Sequence, residues 1–213
     1  MAVFRYKWAL SGLLALLMAL AGYRAVHLLC PNWWLPASAA VFQHPATVQR
    51  IDPHIYDGQW FDAARAGRTD ITQALLNAGF PVNSRTDSGY TALVLATYHG
   101  ALDEVTLLLG FGADPCIPDH NGNTALMGAL FKGEMTVAEH LIDLCPIDAT
   151  NNAGQTALSF AALFGRLDIL PVLARKGADL DHLDAKGESA RTIVKQQGND
   201  AAVAALDALG AMH

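Results

Sequence analysis

Asp179, Asp181, His182 and Asp184 lie close together and form the densest group of metal-capable side chains in the sequence. Carboxylates and an imidazole at that density could gather around a cation, but their spacing is not that of a calcium loop. Aspartates so placed also close tight turns by hydrogen bonding to their own backbone, and this is the reading preferred here. Elsewhere there is no Cys-x-x-Cys pair, no His-Glu-x-x-His and no Gly-x-Ser-x-Gly elbow. Gly110-Phe111-Gly112 runs into Ala113-Asp114-Pro115, so it closes a helix and does not open one as a phosphate loop must. Of the 8 histidines, His99 is the best placed for chemistry, yet no nucleophile is tied to it by spacing. These residues predict a chain that is not an enzyme and that carries no cofactor and no metal.

The elements that position these residues must come from 213 residues, a length suited to one domain. The composition is 52% hydrophobic and 16% charged, with a net charge of −6. All but three of the 14 basic residues lie beyond residue 30, together with all 20 acidic ones, so the folded part is the more acidic. That balance excludes a basic nucleic-acid footprint, and no nucleic acid is expected as a partner.

Arg5 and Lys7 precede an uninterrupted apolar run from Trp8 to Gly22. This is the charged start and apolar stretch of an export signal. A membrane-spanning helix needs about 20 apolar residues, reached here only by running through Arg24 and His27. Ala19-Leu20-Ala21 and Ala37-Ser38-Ala39 both offer small-x-small cleavage sites. Residues 1-30 are therefore expected to be a signal peptide or a membrane anchor. A buried helix of the folded domain is disfavoured, because the run has no polar face. Residues 31-53, with Pro31, Pro36, Pro45 and Pro53 and no periodicity, read as a linker. Trp33 and Trp34 within it suit either a membrane interface or packing on the first folded unit.

Beyond residue 56 the sequence repeats. Gly67, Gly100, Gly133, Gly165 and Gly198 are spaced 33, 33, 32 and 33 residues apart, and Leu75, Leu108, Leu141, Leu173 and Leu206 keep the same spacing. Thr91-Ala92-Leu93, Thr124-Ala125-Leu126 and Thr156-Ala157-Leu158 form a third column, with a weaker copy at Ser189-Ala190. In one unit, Thr91 caps a short helix through its hydroxyl. Asp103 opens a second helix at the end where negative charge is favoured, and Val105, Leu108 and Leu109 form its buried stripe. Gly112 supplies the left-handed stop, and Asn121-Gly122 makes a tight turn. Two short helices and a hairpin cannot bury their own apolar faces, so the units must stack into a solenoid.

On these residues the chain resembles the ankyrin-repeat family, whose period and Thr-Pro-Leu-His-x-Ala signature match from residue 54 to 211 in about five units. The resemblance implies an all-α solenoid of helix-turn-helix units with hairpin loops. Ala92, Ala125 and Ala157 replace the usual proline, and Val94, Met127 and Ser159 the usual histidine. The last unit carries Arg191, Lys195, Gln196 and Gln197, which suit a terminal cap. The third unit is one residue short and places Leu144-Cys145-Pro146 where its neighbours have Gly112-Ala113-Asp114 and Gly177-Ala178-Asp179. In that register Cys116 aligns with Asp148, three positions past Cys145. A disulfide needs α-carbons within about 7 Å, so two ordinary small buried side chains are expected, with a Cys116–Cys145 bond as the alternative. Cys30 is the third cysteine.

The resemblance also locates partner-contact positions, on the concave side and hairpin tips. In the second unit these are Asp87, Ser88, Tyr90, Tyr98 and His99, and in the third His120, Asn121, Asn123, Phe131 and Lys132. The fourth unit contributes Asn152, Ala153, Gln155, Leu163 and Phe164. Tyr98, Phe131 and Leu163 are one period apart and predict an apolar and aromatic ridge of the kind interface centres favour. The alternative is that Phe131, Leu163 and Phe164 pack between helices.

The expected function is a non-enzymatic protein-protein interaction module with another protein as partner. The leader places it in the bacterial periplasm or on the inner membrane with the repeats on the periplasmic side, membrane contact coming through the first segment if uncleaved. Exported bacterial proteins of this family include some tied to periplasmic catalase and oxidative-stress defence, and the resemblance extends that role here by analogy. A different reading is a thiol-redox or metal-handling envelope protein using Cys116 and Cys145. A third is a membrane-tethered spacer with no specific partner.

Overall fold

The computed structural model describes residues 53–210, so the expected signal or anchor segment and the linker up to residue 52 lie outside the described residues. A short 3-10 turn, Pro53–Tyr56, leads into five helix pairs. They are α1 (Asp57–Ala66) with α2 (Thr69–Asn77), α3 (Ala92–Tyr98) with α4 (Leu102–Gly110), and α5 (Ala125–Lys132) with α6 (Met135–Leu141). The last two are α7 (Ala157–Leu163) with α8 (Leu170–Arg175), and α9 (Ala190–Gln196) with α10 (Asp200–Gly210). The fold is all-α. The hairpins between pairs add only two isolated bridges among the described residues, Arg85 with Thr91 and Leu183 with Ser189.

The first helix of each pair starts where a hydroxyl takes up an orphan backbone N–H. Thr91, Thr124, Thr156 and Ser189 accept from the amides of Val94, Met127, Ser159 and Thr192. α4 stops as expected: Gly112 has φ 84°, and the Ala113 amide donates back to Leu108 O. Pro171 stands in the first turn of α8, where its missing N–H is tolerated.

The first helices stack on one another in chain order, and the three inner ones are almost wholly buried, α3 from Ala92 to Thr97, α5 from Ala125 to Leu130 and α7 from Ala157 to Ala162. Small alanines let these backbones approach closely. The leucine column forms the second layer of the interior: Leu108, Leu141, Leu173 and Leu206 are buried, each contributing roughly 1.5–3 kcal/mol. Leu75, in the first unit, is half-buried. Trp60, in the position of Leu93, is buried and lies 4.7 Å from Phe80. At the other end Arg191, Lys195, Gln196 and Gln197 are exposed, and Arg191 pairs with Asp207.

The third unit departs from its neighbours, and here the cysteine expectation is corrected. α6 ends at Leu141 with no glycine stop, and Ile142 is still right-handed. Cys116 and Cys145 are half-buried and joined by a disulfide, with α-carbons 5.6 Å apart. A turn at Asp114–Ile117, in which the Cys116 amide donates to Asp114 Oδ1, doubles the chain back. That turn and the shortened end of α6 close the three-residue offset that the in-register alignment left open.

Candidate functional site

An aromatic ladder crosses three units. The Tyr90 and Tyr98 rings meet edge to face at 5.9 Å, Tyr98 meets Phe131 at 6.3 Å, and Phe131 meets Phe164 at 4.8 Å. Phe160 lies 5.5 Å from Phe164 and ties the far end to the buried face of α7. Tyr98 and Phe131 sit in the last turns of α3 and α5 and Phe164 just past α7, so the helix stack sets their spacing, while Tyr90 joins from the hairpin that leads into α3. Leu163 is half-buried against the core, and the ladder continues one residue later through Phe164.

Exposure separates the two readings of these aromatics. Phe131 is 43% exposed and Phe164 38%, so they do not fill a gap between helices. Tyr90 and Tyr98 are half-buried. The Tyr98 ring lies over Gly128, where an added Cβ would come within 3.3 Å of it, so the glycine in α5 makes the seat for the ring. Burial, then the Asp119 carboxylate and the neighbouring Tyr90, push the Tyr98 hydroxyl up to about 12. It is therefore a neutral hydrogen-bond donor at any physiological pH.

The hairpin tips use many of their polar groups on one another. Asp119, Asn151 and Asp184 each accept from two backbone amides of their own turn: Asn121 and Asn123, Ala153 and Gln155, Lys186 and Glu188. The amides donated by Glu188 and then Lys186 hold the Asp184 carboxyl below the ordinary carboxylate range. Neighbouring tips are tied together by the Asn152 amide on Asn121 O and the Ala185 amide on Ala153 O, both 2.9 Å. Asn152 Nδ2 donates to His120 O, and Asn151 Nδ2 donates to Asn123 Oδ1 and Gln155 Oε1. Asn123 and Gln155 are thus half-buried members of the internal network. Asp87, Ser88, His99, His120, Asn121 and Lys132 are exposed, and the ladder lies among them.

The acidic cluster is absorbed by turns. Asp179 accepts from the Asp181 amide, and the His182 ring is 3.0 Å from Gly154 O. Among the described residues no group of three or more His, Cys, Asp or Glu side chains is arranged to hold a metal ion.

Three contributors were not anticipated. Arg85 donates to Gly89 O and to Pro118 O, stapling the second hairpin to the third. Arg166 donates through Nε to Leu130 O and through Nη2 to Phe131 O, closing the C-terminal carbonyls of α5 from the next unit. Gly128 is the third, signalled by a glycine one period from Leu95 inside a helical pattern.

A family model described as ankyrin repeats (3 copies) matches residues 60–119 and 99–184. Ankyrin repeat domain-containing protein 63 of Mus musculus is 41% identical over 105 residues, which is 47% of this chain and 27% of that protein. Its Homo sapiens counterpart is 41% identical over 103 residues, 46% of this chain and 27% of its own length. Protein HOS4 of Saccharomyces cerevisiae is 38% identical over 92 residues, 39% of this chain and 8% of that protein. The chain spans about a quarter or less of the length of these relatives.

Proposed function

The chain belongs to the ankyrin-repeat family, and from that premise we propose that it docks a partner protein across the Tyr90–Tyr98–Phe131–Phe164 ladder. Ankyrin repeats imply a protein–protein interaction module, and proteins built of them are generally non-enzymatic. The observation that carries the finer reading is the ladder itself. It offers exposed aromatic surface continuous over three units, headed by two tyrosines near water. A partner places apolar side chains on Phe131 and Phe164 and a hydrogen-bond acceptor at the tyrosines, with Asp87, Ser88, His99, His120, Asn121 and Lys132 at the rim.

The proposed location is the periplasm or the outer face of the inner membrane of a bacterium. The charged start and apolar run of the first segment support export, and the Cys116–Cys145 bond supports an oxidising compartment. Among the described residues no helix is long and apolar enough to cross a membrane. Support for oxidative-stress defence is family analogy alone, and peroxide sensitivity of a deletion strain tests it.

A photo-crosslinking side chain at Phe131 in native cells tests the docking reading. A discrete adduct with one protein, lost when Phe164 is changed to serine, is the expected result. Absence of any specific adduct, with the repeat domain folded, would count against docking and for a spacer.

A further inference from the structure

At two junctions between units the same hydrogen bond recurs. The Asp114 amide donates to Asn83 Oδ1 at 2.9 Å between the first and second units, and the Asp179 amide donates to Asp148 Oδ1 at 3.0 Å between the third and fourth. Both span 31 residues and join equivalent positions. At the junction between the second and third units, both partners of this bond are gone. The acceptor position, held by Asn83 and Asp148 elsewhere, is Cys116, and the donor position, held by Asp114 and Asp179, is Pro146, which has no N–H. The Cys116–Cys145 disulfide stands in the place of the missing bond, with Cys145 next to Pro146 and in the position of the buried Ala113 and Ala178. A covalent, reducible link has replaced a permanent hydrogen bond at one junction.

We infer that this disulfide is a redox clasp that couples the first two units to the last three. Its opening is ordinary thiol–disulfide exchange with a dithiol. One thiolate of the dithiol attacks a sulfur of the pair to form a mixed disulfide, and the second displaces the protein thiol. Two electrons and two protons end on Cys116 and Cys145, and the dithiol leaves as its own disulfide. Both cysteines are only half-buried, so a reductant has access. Once the bond opens, Pro146 cannot restore the hydrogen bond of the neighbouring junctions, and α6 has no glycine stop to hold its end. The Tyr98–Phe131 rung crosses this same junction, so opening the clasp divides the aromatic ladder between Tyr98 and Phe131. This last consequence rests on the docking reading; the clasp does not.

The test uses the full chain with Cys30→Ala, oxidised or treated with dithiothreitol, followed by hydrogen exchange and thermal melting. Reduction is expected to lower Tm by about 5–15 °C. It should raise exchange at least tenfold around residues 114–117 and 142–149, with much smaller changes in the first and fifth units. The variant C116N/P146D/C145A, which restores the hydrogen-bonding residues of the other junctions, should be insensitive to dithiothreitol. Unchanged Tm and exchange on reduction would overturn the clasp, as would protection lost evenly over all five units. A local exchange response with unaltered Phe131 crosslinking would preserve the clasp and overturn its division of the ladder, whereas loss of any Phe131 adduct in both redox states would remove the docking reading and leave the clasp standing.

Discussion

Thr72 donates a 2.5 Å hydrogen bond to Oε1 of Glu104 across the first and second units, and Oε2 of that carboxyl is buried without a hydrogen-bond partner. Glu104 stands one period from Ile71 and Val137 and two from Ile169, so a carboxyl occupies a row otherwise apolar at those positions. Both Thr72 and Glu104 are buried. Burial pushes the Glu104 pKa up, the Thr72 bond opposes this, and the Asp70 charge adds to it. With the folded pKa above the unfolded one, the stabilising contribution is full below the ordinary carboxylate pKa. It is lost as pH rises through the raised value. Denaturant titrations between pH 4.5 and 8 should therefore show wild type losing stability relative to Glu104→Gln as pH increases. Thr72→Val, which strips the remaining partner, should cost about 1–3 kcal/mol at pH 7.

Gly122 and Gly187 share a left-handed backbone, with φ 81° and 79°, and differ in what surrounds them. A Cβ on Gly122 would lie 2.6 Å from the Asn152 amide nitrogen, the donor that ties the third hairpin to the fourth, whereas one on Gly187 meets nothing within 4 Å. Gly187→Ala should cost only the left-handed penalty, about 1–2 kcal/mol. Gly122→Ala should cost that and also displace the neighbouring hairpin. Chemical denaturation of the two variants, with the Asn152 amide followed by hydrogen exchange, checks the difference. Equal losses would mean that the inter-hairpin bond contributes nothing.

Arg166 joins units in a different way, by donating to carbonyls at the end of the preceding first helix. A cation there also faces the negative end of the α5 dipole. Arg166→Met keeps most of the stem and removes the donors, and should lower stability by about 1 kcal/mol. Arg166→Lys should recover part of this, because an ammonium retains the charge but not the fork. A thermal melt series on the two variants measures both effects.

The repeat was readable because glycine and leucine must recur wherever a helix stops in the left-handed region or faces the interior. Val105 and Leu108 fall on the buried stripe for that reason, while Leu109 is half-buried at its edge. What escaped reading depends on three-dimensional neighbours. Glu104 looks like a favourable first-turn acid when its helix is considered alone, and only stacking reveals that it faces Thr72. The disulfide was obscured because alignment in register treats the loop after α4 as straight, whereas the Asp114 turn brings Cys116 back toward Cys145. Leu163 and Phe164 are adjacent, and helical spacing alone favoured the one on the repeat position. The end of α7 instead turns Leu163 toward the core and leaves Phe164 facing Phe131.

That last contrast separates docking surface from core. Phe131 and Phe164 bury little more than half of their surface, so Phe131→Ser with Phe164→Ser removes their mutual edge-to-face contact, their contacts with Tyr98 and Phe160, and some partial burial. Leu163 is packed against the buried cluster, and a serine there removes apolar area from the interior and places a hydroxyl among apolar groups. Leu163→Ser should lower stability by about 2–3 kcal/mol, and the paired surface change by a smaller amount. Partner crosslinking from a probe at Tyr90 should fall at least tenfold in the paired variant and persist in Leu163→Ser at temperatures where that variant is folded. Melting curves and adduct yields measured on the same preparations decide it. If the Phe131 and Phe164 changes unfold the domain as severely as Leu163→Ser, these rings belong to the core, and the partner-binding face must be sought at the hairpin tips alone.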